Sequence, residues 1–163
     1  GSGVVYDGRP LPGVEVREAD GELQLRGPML LRAYRNGVDP RTVDGWLPTG
    51  DGGSVEAGTG FVEVFGRRDD LIITGAQKVW PDPVEAVLAG LDGVAEVAVV
   101  GRPDPEWGQL VTAVIVPDGP VPPLEALRDA VKAQLAPYCA PRAVELVDAL
   151  PRTALGKLRR SAV

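Results

Sequence analysis

The pattern of apolar residues changes at one point in the chain, and this change limits the folds that are open to it. Before the charged run Arg67-Arg68-Asp69-Asp70, short alternating segments predict β-strands, and after it helical apolar stripes alternate with strand-like runs. A charged run between two such stretches is typical of an exposed linker. We therefore predict a β-rich segment over residues 1–66, a hinge at 67–70 and a small α/β domain at 71–163. The fold class is α+β or α/β, with helices packed on a sheet.

The strands of the first segment are predicted from two signals, namely apolar and polar residues that alternate along the chain, and turn residues between these runs. Strands are predicted at residues 4–6, 14–17, 23–26 and 61–65, and the Asp20-Gly21 pair predicts a hairpin turn. The stretch from Gly27 to Gly53 is rich in glycine, proline and aspartate, which predicts a loop.

The second segment predicts two amphipathic helices and three strands. The first helix would begin at Asp82 as N-cap, with Pro83 at its first position, and the second would cover residues 123–135. Strands are predicted at residues 94–100, 110–116 and 143–147, with a turn at 101–105. A short basic helix is predicted from Leu155 to the end of the chain.

Composition removes several classes of function. The chain has no histidine, and its single Cys139 can neither close a disulfide within the chain nor build a thiolate metal site, so we expect no metal site. A net charge of −6 argues against nucleic-acid partners. No apolar run approaches the roughly 20 residues of a membrane span, which makes a cytoplasmic location the default expectation.

Two short motifs carry candidate binding residues. The run Trp46-Leu47-Pro48-Thr49-Gly50-Asp51 holds a carboxylate on a Thr-Gly turn, where it can accept hydrogen bonds from two neighbouring hydroxyls. A turn aspartate bonded to its own backbone explains the same pattern when it stands alone. The run Gly66-Arg67-Arg68-Asp69-Asp70-Leu71-Ile72-Ile73-Thr74-Gly75 joins the charged linker to a glycine that permits close approach of a ligand to the backbone.

A third motif, Leu150-Pro151-Arg152-Thr153-Ala154-Leu155-Gly156-Lys157, places a lysine directly after a glycine. A lysine on a flexible loop carries a compact ammonium group on a long stem that can reach into a site and withdraw, which makes Lys157 a candidate functional residue. Without the other motifs, an ordinary surface lysine in a basic tail is the alternative.

In this order, the three motifs resemble the signatures of the superfamily of acyl-CoA synthetases, peptide-synthetase adenylation domains and luciferases. The resemblance covers essentially the whole chain, since residues 94–116 also follow the family's C-terminal domain. The chain departs at Leu47, where many members have a second aromatic residue, and at Ile73, where many have lysine. Residues 3–14 look most like o-succinylbenzoate:CoA ligases of menaquinone synthesis.

The resemblance implies an enzyme that uses ATP and Mg²⁺ to convert a carboxylate into an acyl-adenylate, and then turns a C-terminal lid so that CoA attacks. Residues 1–66 would be the end of the large adenylation domain, and 71–163 the lid. The implied site residues are Lys157 for catalysis, Asp51 and Arg67 for the nucleotide, Asp69 for the hinge, and Thr74, Gly75 and Ala76 for the CoA channel.

The phosphate loop and the Thr-Glu pair of complete family members do not occur in this sequence. We therefore expect a fragment that needs the missing N-terminal domain of the same enzyme and that alone neither adenylates nor binds ATP tightly. Apolar faces left without that domain favour a homodimer. Two other functions stay open, namely an adenylation domain that loads a carrier protein and a non-catalytic interaction module that keeps the lid fold.

Overall fold

The structure of the protein is a computed structural model that describes residues 5–31 and 33–163. The chain divides into two compact units, Gly1–Asp69 and Asp70–Val163, and each is described by itself. The division lies between Asp69 and Asp70, within the charged run that the sequence marks as a linker. Residue 4 of the first predicted strand lies outside the described residues.

The first unit is built from antiparallel strands. Strand β1 (Val5–Tyr6) pairs with β2 (Arg9–Pro10), and a four-stranded sheet has the order β3 (Glu15–Ala19), β4 (Glu22–Arg26), β5 (Leu47–Val55) and β6 (Val62–Arg67). Strands β3 and β4 turn at Asp20 and Gly21, whose φ angles of 52° and 77° are both positive, as in a type I′ turn. The predicted hairpin is therefore confirmed.

Strand β5 runs through a stretch that the sequence predicts as a loop, so that prediction is wrong over residues 47–53. Pairing with β4 on one edge and β6 on the other keeps these weak strand formers extended. The register shifts once on each edge, as at β-bulges. Gly53 leaves no room for a side chain, because an added Cβ would meet the Glu63 carbonyl oxygen and would lie 2.6 Å from Leu23 Cδ1.

Strand β10 (Gly108–Pro117) is the centre of the second unit. Strand β9 (Val94–Asp104) pairs with it antiparallel, and β11 (Ala143–Leu146) pairs with it in parallel. The hairpin of β7 (Ile72–Thr74) and β8 (Gln77–Val79) joins this sheet where Thr74 pairs with Gly108. Two helices, α1 (Pro81–Leu88) and α2 (Leu124–Lys132), complete a small α+β unit, which confirms the predicted class. In the described part of the chain, no helix has the length and apolar character needed to cross a membrane.

Alternating side chains of β9 and β10 give this sheet two apolar faces. One face packs in a core shared with both helices, whose members include Leu88, Val99, Ala113 and Leu127. The other face is covered by the C-terminal segment, in a smaller cluster that consists of Ala98, Val100, Val114, Leu150 and neighbouring apolar residues such as Leu158. The segment that leads to Lys157 is therefore packed on the sheet.

Several boundaries in the second unit correct the sequence-based predictions. Helix α1 begins at Pro81, and its N-cap is Trp80, which makes no side-chain cap hydrogen bond, so Asp82 is not the N-cap. Strand β9 continues through the predicted turn at 101–105. The chain reverses after Asp104, because its Oδ1 accepts hydrogen bonds from the N–H groups of Glu106 and Trp107. Helix α2 is shorter than predicted and ends at Lys132.

The predicted basic helix from Leu155 is wrong. Arg152 and Leu158 form an isolated antiparallel bridge, and only Arg160–Ala162 forms a short 3₁₀ turn. Gly156 has a φ of 80°, a left-handed conformation that closes a turn and does not continue a helix.

An ion pair crosses the second sheet and sets a carboxyl pKa. Arg102 of β9 donates to Glu145 of β11 through Nε at 2.9 Å and Nη2 at 2.6 Å. The hydrogen bond from Arg102 lowers the pKa of Glu145, against the raising effect of partial burial. Since the folded pKa lies below the unfolded one, the stabilisation is present above the unfolded pKa and is lost as pH falls through the folded pKa.

We expect Arg102→Ala to raise the pKa of Glu145 towards its ordinary value. Because both side chains are more than a third exposed, the free energy of unfolding should fall by only about 0.2–1 kcal/mol near pH 7 and be unchanged near pH 2. NMR titration and denaturant unfolding at the two pH values measure these effects. Arg159→Ala is the control, because Arg159 makes no ion pair within its unit. An equal loss of stability at both pH values contradicts the explanation.

Candidate functional site

Asp51 and Arg67, the predicted nucleotide-binding residues, lie opposite each other on strands β5 and β6. Arg67 Nη1 donates to Asp51 Oδ1 at 2.8 Å and to the Thr49 carbonyl oxygen at 2.9 Å. Both side chains are accessible, with exposed fractions of 36% for Asp51 and 56% for Arg67. Within the described residues of this unit no donor bonds Asp51 Oδ2, so this oxygen is free to accept a hydrogen bond from a ligand hydroxyl.

The Thr49-Gly50-Asp51 segment is fixed by the neighbouring strands. Thr49 Oγ1 donates to a carbonyl of β4 at 2.7 Å and accepts from the Asp51 N–H at 3.0 Å. The Gly50 N–H donates to Glu22 Oε1 at 2.7 Å. Gly50 has a φ of 73°, and an added Cβ would lie 2.7 Å from Arg67 Nη2, so glycine at this position leaves space for the guanidinium group.

The charged run after β6 forms a 3₁₀ turn, Arg68–Asp70. Arg68 Nη1 lies 2.9 Å from Glu22 Oε2. Asp69 is exposed and is the last residue of the first unit. This position suits a connector, and the hinge role of Asp69 stays a prediction.

Thr74, Gly75 and Ala76, predicted to line a CoA channel, join β7 to β8. Gly75 and Ala76 have φ angles of 53° and 64°, so the turn is of type I′. The Gly75 N–H donates to the Trp107 carbonyl oxygen at 2.9 Å, and an added Cβ would lie 2.7 Å from the Trp107 ring. The Arg142 guanidinium carbon lies 3.9 Å from the centroid of the same ring. The turn and the indole are therefore in close contact, and Arg142 helps to hold the indole in place.

The hydroxyl oxygen of Thr74 is buried and has no hydrogen-bond partner among the described residues. An unpaired buried hydroxyl costs free energy. Thr74 is only 3% exposed, so its side chain lies in the interior of the unit and supports the turn by packing.

Lys157 belongs to the turn of a short hairpin, residues 152–158, called the Lys157 hairpin below. The Thr153 N–H donates to the Lys157 carbonyl oxygen at 2.8 Å, and the Lys157 N–H donates to Thr153 Oγ1 at 3.2 Å. The Gly156 N–H donates to the Thr153 carbonyl oxygen at 2.9 Å. The Pro-x-Thr-x-x-Gly-Lys motif is thus a folded turn in which threonine and glycine set the backbone that carries the lysine.

The base of this hairpin is anchored, whereas the lysine side chain is not. Arg152 Nη1 donates to the Gly156 carbonyl oxygen at 2.9 Å, and Nη2 donates to Glu96 Oε2 at 2.5 Å. Lys157 is exposed, and within the second unit no carboxylate lies within ion-pair distance of its ammonium group. Lys157 therefore presents a cation without a counter-ion from its own unit.

The structure brings Asp51 and Arg67 into contact, while Lys157 and the Gly75 turn lie in separate parts of the second unit, joined by no hydrogen bond or ion pair between its described residues. Two residues of the second unit were not predicted as site residues. They are Trp107, which contacts the Gly75 turn, and Arg160, which follows the Lys157 hairpin. Arg160 bonds side chains 75 to 90 positions away in sequence. No short-range pattern indicates such contacts.

Residues 5–31 and 33–163 contain no group of three or more His, Cys, Asp or Glu side chains placed to hold a metal ion.

Comparison with known proteins connects these features to a family. Residues 83–157 match the family described as the AMP-binding enzyme C-terminal domain. The chain is 44% identical over 167 residues to the "Probable 2-succinylbenzoate--CoA ligase" of Mycobacterium tuberculosis (strain CDC 1551 / Oshkosh), covering 99% of this chain and 44% of that protein. It is 40% identical over 149 residues to the indoleacetate--CoA ligase of Aromatoleum aromaticum, covering 89% of this chain and 29% of that protein.

A solved structure gives the same assignment. The o-succinylbenzoate CoA synthetase of Bacillus subtilis, in complex with the acyl-adenylate intermediate OSB-AMP, matches with a TM-score of 0.84 and 36% identity, over 94% of this chain and 34% of that one. The chain thus spans less than half the length of each of these relatives. These matches confirm the predicted lid fold. The chain belongs to the adenylate-forming superfamily, and over residues 83–157 it contains the AMP-binding enzyme C-terminal domain.

Proposed function

We propose that this chain is part of an ATP-dependent carboxylic acid–CoA ligase whose acid is 2-succinylbenzoate. The identity of 44% to the mycobacterial relative and the likeness to a synthetase solved with OSB-AMP support the choice of acid. The observation that carries the proposal is Lys157, an exposed cation without a counter-ion in its unit, on a hairpin whose base is anchored.

In the first half-reaction, a carboxylate oxygen attacks the α-phosphorus of ATP. A new P–O bond forms, and pyrophosphate leaves with the electron pair of the broken P–O bond. Because two anions approach each other, a cation at the phosphoryl centre lowers the barrier. Lys157 supplies that cation, since its compact ammonium group on a long stem can reach the phosphate and withdraw again.

The nucleotide is held by Asp51 and Arg67. Asp51 Oδ2 accepts a hydrogen bond from a ribose hydroxyl while Oδ1 stays on Arg67, and the remaining donors of Arg67 reach ribose or phosphate oxygens. Mg²⁺ would be bound mainly by the phosphates of ATP and by water, with only one or two carboxylates of the protein.

In the second half-reaction, the sulfur of CoA attacks the carbonyl carbon of the acyl-adenylate. A C–S bond forms, the thiol proton is released to solvent, and AMP leaves with the electron pair of the broken C–O bond. Gly75 and Ala76 line the path of CoA on the turn that the buried Thr74 supports, and the missing side chain at Gly75 lets CoA pass close to the backbone. Asp69 is the hinge at which the Asp70–Val163 unit turns between the half-reactions.

The test compares acids with the intact ligase that contains this chain. We expect kcat/KM for acyl-CoA formation to be at least about 10²-fold higher with 2-succinylbenzoate than with indoleacetate or a fatty acid, because hydrogen bonds to the second carboxylate and the keto group discriminate strongly. Chromatography of acyl-CoA and release of pyrophosphate are the two readouts.

The outcomes separate the acid from the reaction class. A preference for indoleacetate would reassign the acid and keep the ligase. No ATP-dependent pyrophosphate release with any of the acids would reject the ligase itself. The 163-residue chain alone is expected to release no pyrophosphate, because its sequence lacks the phosphate loop.

A further inference from the structure

Arg160 follows Lys157 by three residues, and its side chain is only 14% exposed. Each of its three guanidinium nitrogens binds a carboxylate of the same unit: Nε lies 3.1 Å from Asp70 Oδ2, Nη2 lies 2.5 Å from Asp82 Oδ1, and Nη1 bonds Glu85 Oε1. Nη2 also donates to Glu85 Oε2 at 3.1 Å. One cation therefore joins the C-terminal segment to the first residue of the unit and to helix α1.

The same cluster reaches the edge strand β9. Glu85 Oε1 accepts a hydrogen bond from the Val99 N–H at 2.6 Å. Burial alone would lower the pKa of Arg160, but the hydrogen bond to Glu85 and the charges of Glu85, Asp82 and Asp70 raise it. Without the guanidinium group three carboxylates would face each other, and Glu85 among them is only 17% exposed. Loss of this arginine is therefore more costly than loss of an ordinary surface ion pair.

Packing alone does not fix the Lys157 hairpin. A groove of about 430 Å³ is lined by α1, β9 and the hairpin, so the hairpin does not fill the space beside α1. On the sheet side, the hairpin is held by Leu158 in the small apolar cluster and by Arg152 on Glu96. After Leu158, the Arg159 N–H donates to the Pro151 carbonyl oxygen at 2.8 Å, and Val163 packs against the small apolar cluster. Arg160 is the side chain that holds this end of the segment by charge.

We propose that Arg160 is a positioning residue for Lys157, one that joins the lysine-bearing segment to Asp70, next to the predicted hinge residue Asp69, and to α1. This inference rests on the proposed function, because it assumes that Lys157 acts at the phosphoryl centre. While these ion pairs of Arg160 are formed, Lys157 moves together with Asp70 when the unit turns. Loosening them should affect the first half-reaction, which needs Lys157, more than the second, which uses the Gly75 turn.

The test uses the intact ligase with Arg160→Ala, Arg160→Lys and Asp70→Asn, and with Arg159→Ala as the matched control. We expect acyl-adenylate formation to slow roughly 10- to 100-fold in Arg160→Ala, with thioester formation from supplied acyl-adenylate largely kept. Arg160→Lys and Asp70→Asn should show smaller losses of the same step, because lysine keeps the charge but cannot span three carboxylates. Arg159→Ala should change neither half-reaction.

Amide hydrogen exchange gives a readout that does not depend on activity. The N–H groups of Thr153 and Lys157, both bonded within the hairpin, should exchange at least about tenfold faster in Arg160→Ala and not in Arg159→Ala. Unchanged exchange would overturn the proposal, as would equal loss of both half-reactions in Arg160→Lys. Should Arg160→Ala fail to fold, Arg160→Lys and Asp70→Asn decide by the same criteria.

Further results distinguish failure of the proposed function from failure of the positioning role of Arg160. No ATP-dependent pyrophosphate release by the natural ligase rejects the proposed function, whereas adenylation that survives in Lys157→Ala rejects only the role of Lys157 at the phosphoryl centre. Adenylation that is lost in Lys157→Ala but normal in Arg160→Ala rejects only the positioning role.

Discussion

Replacing Lys157 with alanine in the intact ligase is expected to slow acyl-adenylate formation by about 10²- to 10³-fold, the usual effect of removing one group that stabilises charge in a transition state. Thioester formation from supplied acyl-adenylate should be largely kept, because the negative phosphoryl centre is not attacked by a carboxylate in that step. Pyrophosphate exchange measures the first half-reaction, and acyl-CoA release from acyl-adenylate measures the second.

Lys132→Ala is the matched control for this substitution. Lys132 is a lysine of α2 in the same unit, 3.6 Å from Asp129, and it has no proposed role. Its replacement should leave both half-reactions unchanged, and the fold of Lys157→Ala should be intact because the lysine side chain is exposed. Equal loss of the two half-reactions in Lys157→Ala would show that the lysine does not serve adenylation in particular.

Sequence patterns predicted the elements whose structure depends on near neighbours. The Asp20-Gly21 hairpin, strand β11 and both helices of the second unit are found close to their predicted places. Turn residues with positive φ and apolar stripes of helical period act over a few residues, so they can be recognised in a single chain.

Elements held by distant partners were missed. Strand β5 contains Pro48, Gly50, Gly52 and Gly53, which are poor strand formers, and it exists because β4 and β6 pair with both of its edges. The end of the chain has the composition of a short basic helix, but Arg160 finds its partners 75 to 90 positions earlier. Contacts over such separations are set by the tertiary fold and leave no local periodicity.

The candidate site shows the same division. The motifs indicated Asp51 and Arg67 one by one, but their contact depends on the register of β5 and β6, which shifts between Gly52 and Gly53. A one-residue change of register would turn the two side chains to different faces of the sheet. The geometry is therefore information that only the structure supplies, and the roles of both residues stay predictions.

A substitution in the Gly75 turn should affect the second half-reaction, whereas Lys157→Ala should affect the first. Gly75→Ala is expected to slow thioester formation by about 10²-fold, because the new methyl group would lie 2.7 Å from the Trp107 ring and must displace the turn or the ring. The φ of 53° adds about 1 kcal/mol of backbone strain for alanine. Adenylation, for which we propose the separate Lys157 hairpin, should be largely kept, and the same two half-reaction assays measure both effects.

A double-mutant cycle with Trp107→Ala distinguishes the clash from the strain. Without the indole the added methyl group has room. Gly75→Ala should therefore slow thioester formation much less in the Trp107→Ala background than in the natural sequence. Gly58→Ala shows how much a positive φ alone lowers the free energy of unfolding, since Gly58 has a φ of 94° and no heavy atom within 4 Å of an added Cβ. If Gly75→Ala costs the same with and without the indole, then backbone strain accounts for the loss, and the close contact with Trp107 does not set the position of the turn.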